Sequence, residues 1–219
     1  MDIKKAMEER HSVRQYLKKE IPVEIIRSLQ DKIDECNREG GLHIQLVTGE
    51  EEAFQGFMAH YGKFDGVENY IALIGKKSGT LQEKAGYYGE QIVLLAQQLG
   101  LNTCWVASSF RKKKCRISIE AGEKMVCVIS LGYGKTQGVP HKGKNLEDLY
   151  EAGGEVPTWF MEGVEAASLA PTAINQQKFM FSLCGDTAEV RKTGGFYSDV
   201  DLGIVKYHFE VASGRKIWK

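Results

Sequence analysis

The sequence predicts an α+β fold in which helices cover a mostly antiparallel sheet. Three observations carry that reading: apolar residues recur at helical spacing over two long stretches, short apolar runs bounded by glycines read as strands, and the order helix, loop, strand occurs twice. At 219 residues the chain suffices for one compact core, or for one and a part.

Residues 2–9 read as a short helix, and residues 23–36 as a second, entered at Pro22 with Ile25, Ile26, Leu29 and Ile33 on one face. Gly40-Gly41 stops it. Residues 43–47 alternate like a strand, residues 50–59 are expected to be helical, and a loop over 61–69 leads into a strand at 70–75. The clearest helix is 83–99, with Tyr88, Ile92, Leu95, Ala96 and Leu99 along one stripe and Gly100 at its end. Strands follow at 103–107 and 125–131, then a turn-rich stretch over 132–145 and a break at Gly153-Gly154.

Beyond the break a pattern returns. A shift of 135 lays Pro157, Phe160, Met161, Val164, Phe179 and Phe181 over Pro22, Ile25, Ile26, Leu29, Ile44 and Leu46. Gly203 and Gly214 are spaced as Gly89 and Gly100 are, each pair embracing a helix-like segment. This fits either a duplicated unit or a coincidence between amphipathic segments.

Twenty-nine basic and 29 acidic residues cancel, which argues against a basic nucleic-acid binder, whose domain pI usually exceeds about 9. The basic run 111–116 stands alone and reads as a solvated face. Five cysteines without a C-x-x-C pair encode neither a complete disulfide framework nor a zinc ribbon, and suit a reducing compartment. The N-terminus is charged from its second residue and no apolar run approaches about 18 residues, so a cytoplasmic protein without a membrane partner is expected. The five histidines are scattered, so no metal is expected. Ile129 occupies the position where a Walker A motif needs glycine, the Rossmann pattern also fails, and G-x-S-x-G is missing.

Three segments carry candidate chemistry. In Arg10-His11-Ser12-Val13-Arg14-Gln15-Tyr16 an extended backbone would point Arg10, Ser12 and Arg14 to one side, where two guanidiniums and a hydroxyl suit a phosphate or another electron-rich group; taken alone, the motif is more simply a solvated, charged helix end. Ala170-Pro171-Thr172-Ala173-Ile174-Asn175-Gln176-Gln177 presents uncharged donors and acceptors at a strand entrance, fit for the rim of a heterocycle or for capping a turn. The loop 138–144, with His141, Lys142 and Lys144, is cationic.

The first two of these segments, together with residues 89–107 and Leu131-Gly132-Tyr133, resemble the FMN-dependent nitroreductase family, in a divergent subgroup with a tandem arrangement. In ordinary members an A-P-S-x-x-N-x-Q segment follows R-x-S-x-R by a few dozen residues, and the flavin lies between two subunits that contribute one motif each. Here the second motif stands 135 residues late, where the internal pattern predicts it. The resemblance therefore implies a nitroreductase-like unit at 1–150 carrying R-x-S-x-R and a truncated second unit at 151–219 carrying the loop, packed as a pseudo-dimer with one FMN site, so that a monomer suffices.

The implied activity is ping-pong hydride transfer from NADH or NADPH through FMN to a small-molecule acceptor such as a nitroaromatic or quinone, with no catalytic side chain; the alternative is a non-catalytic FMN-binding or sensing protein. By the same resemblance Arg10 and Ser12 would meet the phosphate and ribityl end, supplemented by His141, Lys142 and Lys144. Arg14 would approach the pyrimidine side of the ring, with Ala107 and Ser108 near N5, and Pro171, Thr172, Ala173, Asn175 and Gln177 would contact the cofactor from the second unit. Thr172 replaces the usual serine, and Lys178 and Phe179 the usual proline and tryptophan. Phe54, Phe57, Tyr61 and Phe64 suit either the substrate side of the ring or core packing.

Overall fold

The computed structural model describes residues 1–217, so residues 218 and 219 of the expected second unit lie outside the described residues. Residues 70–75 are buried on both faces, which places them in the middle of a covered sheet. That sheet has four antiparallel strands in the order β1 (Gln45–Val47), β2 (Asn69–Lys76), β4 (Glu123–Gly132) and β3 (Asn102–Val106). Alternation sends Ile71 and Leu73 toward a core shared with Leu29, Ile33 and Ile92, and Tyr70, Ala72 and Ile74 toward a second core with Phe54, Phe64 and Val67.

The helices are α1 (Ile3–Glu9), α2 (Val23–Gly40), α3 (Phe57–Tyr61), α4 (Leu81–Gln98), α5 (Thr158–Ser168) and α6 (Ser198–Ser213). Helix α2 runs one turn beyond the expected end because Cys36 and Gly40 are buried, and it stops where Gly41 turns left-handed at φ +62°. Among the described residues none of these helices is long and apolar enough to cross a membrane.

One sheet was expected and two are found. The second holds β5 (Tyr150–Glu151), parallel to β6 (Phe179–Cys184), which forms a hairpin with β7 (Thr187–Lys192). Its core joins Phe160, Phe179, Phe181 and Phe209, with the Phe181 and Phe209 rings stacked at 4.7 Å. Residues 50–59 are not one helix either. They split at Gly56 into a 3-10 turn, Glu52–Phe54, and α3, which buries Ala53 and Phe54 and leaves Phe57 82% and Tyr61 78% exposed.

Gly89 and Gly203 lie inside their helices rather than at their starts. Gly203 is needed where α6 crosses α4: a Cβ there would overlap the Glu83 carbonyl oxygen, and one on Gly86 that of Val200. The crossing is fastened by Lys206–Glu83 and by the Tyr87 hydroxyl, which donates to Glu210 Oε2 at 2.7 Å.

Candidate functional site

Residues 10–16 leave α1 in extended form and run beside β3. Ser12 forms a parallel bridge with Thr103, the Val13 N–H donates to the Thr103 carbonyl at 3.0 Å, and the buried Tyr16 hydroxyl donates to the Val13 carbonyl at 2.6 Å. Ser12 and Arg14 line one recess with the buried Cys104, whose thiol donates to the Trp105 carbonyl at 3.5 Å; burial raises the pKa of that thiol, and the Arg14 and Arg10 charges partly offset the rise. They differ in depth. Ser12 and Arg14 are open, whereas Arg10 is only 4% exposed.

The loop after α5 is strained. Ile174, Asn175 and Gln177 take φ of 48°, 55° and 42°, and a non-glycine residue in that region costs of order 1 kcal/mol and persists only when its surroundings over-determine it. Asp201, at the start of α6, accepts the Ala173 N–H on Oδ1 at 2.9 Å and the Gln176 amide on Oδ2 at 2.7 Å. Burial lifts this carboxyl to about 6. Gln177 is 1% exposed; its N–H donates to Thr172 Oγ1, its side chain donates to the Ser168 carbonyl at 2.9 Å, and its Oε1 accepts the Lys144 N–H at 2.6 Å.

A recess of about 130 Å³ opens between these two segments. Ser12 and Arg14 line it from the first, Pro171, Thr172, Ala173 and Asn175 from the second, with Trp105, Val106 and Ala107 from the end of β3, Tyr197 from the cap of α6 and Asp201 from its first turn. Arg14, Trp105, Val106 and Ala107 also border an outer recess of about 370 Å³, completed by Ser108, Ser109 and the segment 61–64. The expected residues Ser12, Arg14, Ala107, Pro171, Thr172, Ala173 and Asn175 therefore meet in one place, and Ser108 stands next door.

The other expected residues, Arg10, His141, Lys142, Lys144 and Gln177, line neither recess. Gln177 and Lys144 are engaged with each other, the Lys144 ammonium donating to the Gln177 carbonyl at 2.8 Å, because the left-handed backbone of the loop needs those bonds. His141 is half-buried with Nε2 at 3.1 Å from the Ser168 carbonyl, and burial together with the nearby Arg10 charge lowers its pKa. Lys142 is exposed and lines neither recess. Of the four aromatic residues, Phe54 and Phe64 are core; Tyr61 reaches the outer recess, as does the edge of Phe64.

Sequence reasoning missed a buried polar cluster beside Arg10. Its Nε lies 3.9 Å from Glu90 Oε1 and has no hydrogen-bond partner. Glu90, fully buried on α4, accepts the Trp105 indole N–H at 3.0 Å and meets His208 Nε2 of α6 at 2.9 Å. A carboxylate midway along the clearest helix, between Tyr88 and Ile92 of its apolar stripe, was the available signal. Among the described residues no group of three or more His, Cys, Asp or Glu side chains could hold a metal ion.

A family model described as "Putative TM nitroreductase" matches residues 2–213. A solved nitroreductase of Thermotoga maritima, titled putative, is similar at a TM-score of 0.68 and 23% identity, over 97% of this chain and 83% of that one. A Desulfovibrio desulfuricans structure, titled a putative nitroreductase in complex with FMN, aligns at 0.56 and 15% identity over 72% of this chain and 99% of its own. A nitroreductase family protein of Streptococcus pneumoniae aligns at 0.55 and 13% identity over 68% and 99%. None of the curated proteins matches the sequence.

Proposed function

The chain belongs to the TM nitroreductase family, and on that footing we propose that it is an FMN-dependent NAD(P)H:acceptor reductase whose single flavin site is built within one chain. The observation that carries the reading is the recess between the Ser12–Arg14 strand and the 171–175 loop, with the cationic Arg10 buried beside it. The residues present fit FMN. Arg10 Nε is an orphaned donor inside the protein, a costly state that a phosphate oxygen would relieve. The recess itself offers hydroxyl, carboxamide and backbone groups suited to a flavin ring and its ribityl chain.

In this reading Arg10 holds the phosphate and Ser12 the adjoining polyol. Thr172, Ala173 and Asn175 present uncharged groups to the ring edge, held in place by Asp201 rather than by their own preferred conformations. Arg14 stands exposed where the two recesses join, a cation available to ring or substrate. Bound FMN supplies the hydride chemistry between NADH or NADPH and an acceptor such as a nitroaromatic or quinone. The outer recess at Ala107, Ser108 and Tyr61 is shared by donor and acceptor, which take turns there.

The division into a whole unit at 1–150 and a shortened one at 151–219 belongs to the same proposal. It is supported by the recurrence of helix then strand as α2–β1 and α5–β6, by the close α4–α6 crossing, and by the two structures matched over 99% of their own length yet at most 72% of this chain. The five cysteines are free, which supports a reducing, cytoplasmic setting. The test is an absorbance spectrum with the flavin-to-chain ratio. A yellow monomer with one FMN, bleached by NADH or NADPH and recovering its colour with a quinone, is expected. A colourless protein that takes up no FMN overturns the reading, and bound FMN that neither nicotinamide reduces selects a sensing role instead.

A further inference from the structure

Glu90 and His208 are both fully buried, on α4 and α6. His208 Nδ1 lies 3.0 Å from the Ala166 carbonyl oxygen, which can only accept, so Nδ1 carries a proton. Glu90 Oε2 accepts the Trp105 indole N–H. The remaining contact sets His208 Nε2 against Glu90 Oε1 at 2.9 Å, and a hydrogen bond there requires one proton on one of the two atoms. Imidazolium with carboxylate and imidazole with carboxylic acid carry the same net charge, which is zero.

Arg10 adds a positive charge that this pair leaves unanswered. Its Nε lies 3.9 Å from Glu90 Oε1 without a hydrogen bond, in a side chain that is 4% exposed. The other ionisable group acting on it favourably, Cys104, is kept a neutral thiol by burial. Burying an uncompensated cation is costly, and an incoming anion offsets that cost.

We propose that His208 is a positioning residue for phosphate recognition: its shared proton cancels the Glu90 carboxylate, so that Arg10 offers its full charge to a phosphate monoester. The proposal rests on the FMN reading above and names its selectivity, FMN over the unphosphorylated riboflavin. Without the proton, Glu90 would neutralise Arg10 from within.

The experiment is a fluorescence titration of the flavin-free protein with FMN and with riboflavin, read as the ratio of the two dissociation constants. In His208→Gln, Glu90 is left ionised and the preference for FMN is expected to fall at least about tenfold, 1.4 kcal/mol. In Glu90→Gln the amide donates to His208 Nε2 and accepts from Trp105, the carboxylate is gone, and the preference stays within about threefold of wild type, under 1 kcal/mol. The double variant His208→Gln/Glu90→Gln recovers the same preference. A packing defect alone would weaken both flavins alike and leave the ratio unchanged. A wild-type ratio in His208→Gln, a lost preference in Glu90→Gln, or a lost preference in the double variant overturns the proposal, and the latter two outcomes are read against wild type even if His208→Gln does not fold. Wild-type protein that binds neither flavin overturns the FMN reading itself.

Discussion

The Asp201 carboxylate accepts the Ala173 backbone N–H at 2.9 Å, tying the first turn of α6 to the loop that borders the recess. Its second oxygen takes the Gln176 amide, so one side chain restrains both ends of a turn containing two left-handed non-glycine residues. Asp201→Ala removes both bonds and frees the strained turn to relax. The expected result is a loss of about 1–3 kcal/mol in urea unfolding, together with weaker FMN binding. Unchanged flavin affinity would show that the loop keeps its shape without this tether.

The same carboxyl makes stability depend on pH. Burial lifts it to about 6, against roughly 3.9 for an exposed aspartate, so the folded chain binds this proton more tightly than the unfolded one. The contribution is fully present below the unfolded value and is lost as pH rises through about 6, roughly 3 kcal/mol in all. Asp201→Asn cannot titrate and removes this dependence. The unfolding free energy of wild type minus that of Asp201→Asn is expected to fall by about 2 kcal/mol between pH 4.5 and 7.5. A flat difference would refute a buried acid at this position.

Gly203→Ala tests the helix crossing. In an isolated helix the change would stabilise by up to about 1 kcal/mol, but here the new Cβ overlaps the Glu83 carbonyl oxygen and the helices have to separate. A net destabilisation of about 1–3 kcal/mol is expected in denaturant titration. Stabilisation would mean that α4 and α6 do not touch at this point in solution.

Period-two spacing was enough to put Ser12 and Arg14 on one side of their segment, where they line a recess with Cys104. Depth was invisible to it, because Arg10 is buried beside Glu90 of α4, eighty residues along the chain. Glu90 escaped notice for the same reason: the stripe through Tyr88, Ile92 and Leu95 marks one face of α4, while α6 covers another with His208. At Gln177 side-chain chemistry alone suggested a ligand contact, whereas its amide secures a left-handed backbone that nothing in a non-glycine sequence announces. The helix expected over 50–59 failed at Gly56, where packing Phe54 inward and turning Tyr61 outward outweighed local helical continuity.

Tyr61 is the exposed aromatic at the outer recess. It is 78% exposed and borders the recess with Arg14, Ala107 and Ser108, while its neighbour Phe64 is anchored in the core. Removing the ring therefore leaves the fold and the inner recess untouched, but it takes away a flat apolar surface where a planar acceptor would stack, a contact worth about 0.5–1.5 kcal/mol. Tyr61→Ala is expected to raise KM for a nitroaromatic or quinone by about three- to tenfold at unchanged FMN content and unfolding midpoint. The rate of flavin bleaching by saturating NADH or NADPH should stay the same, since saturation offsets weaker binding of the donor in the shared recess. If KM for planar and non-planar acceptors shifts equally, Tyr61 shapes access to the recess instead of stacking on the substrate.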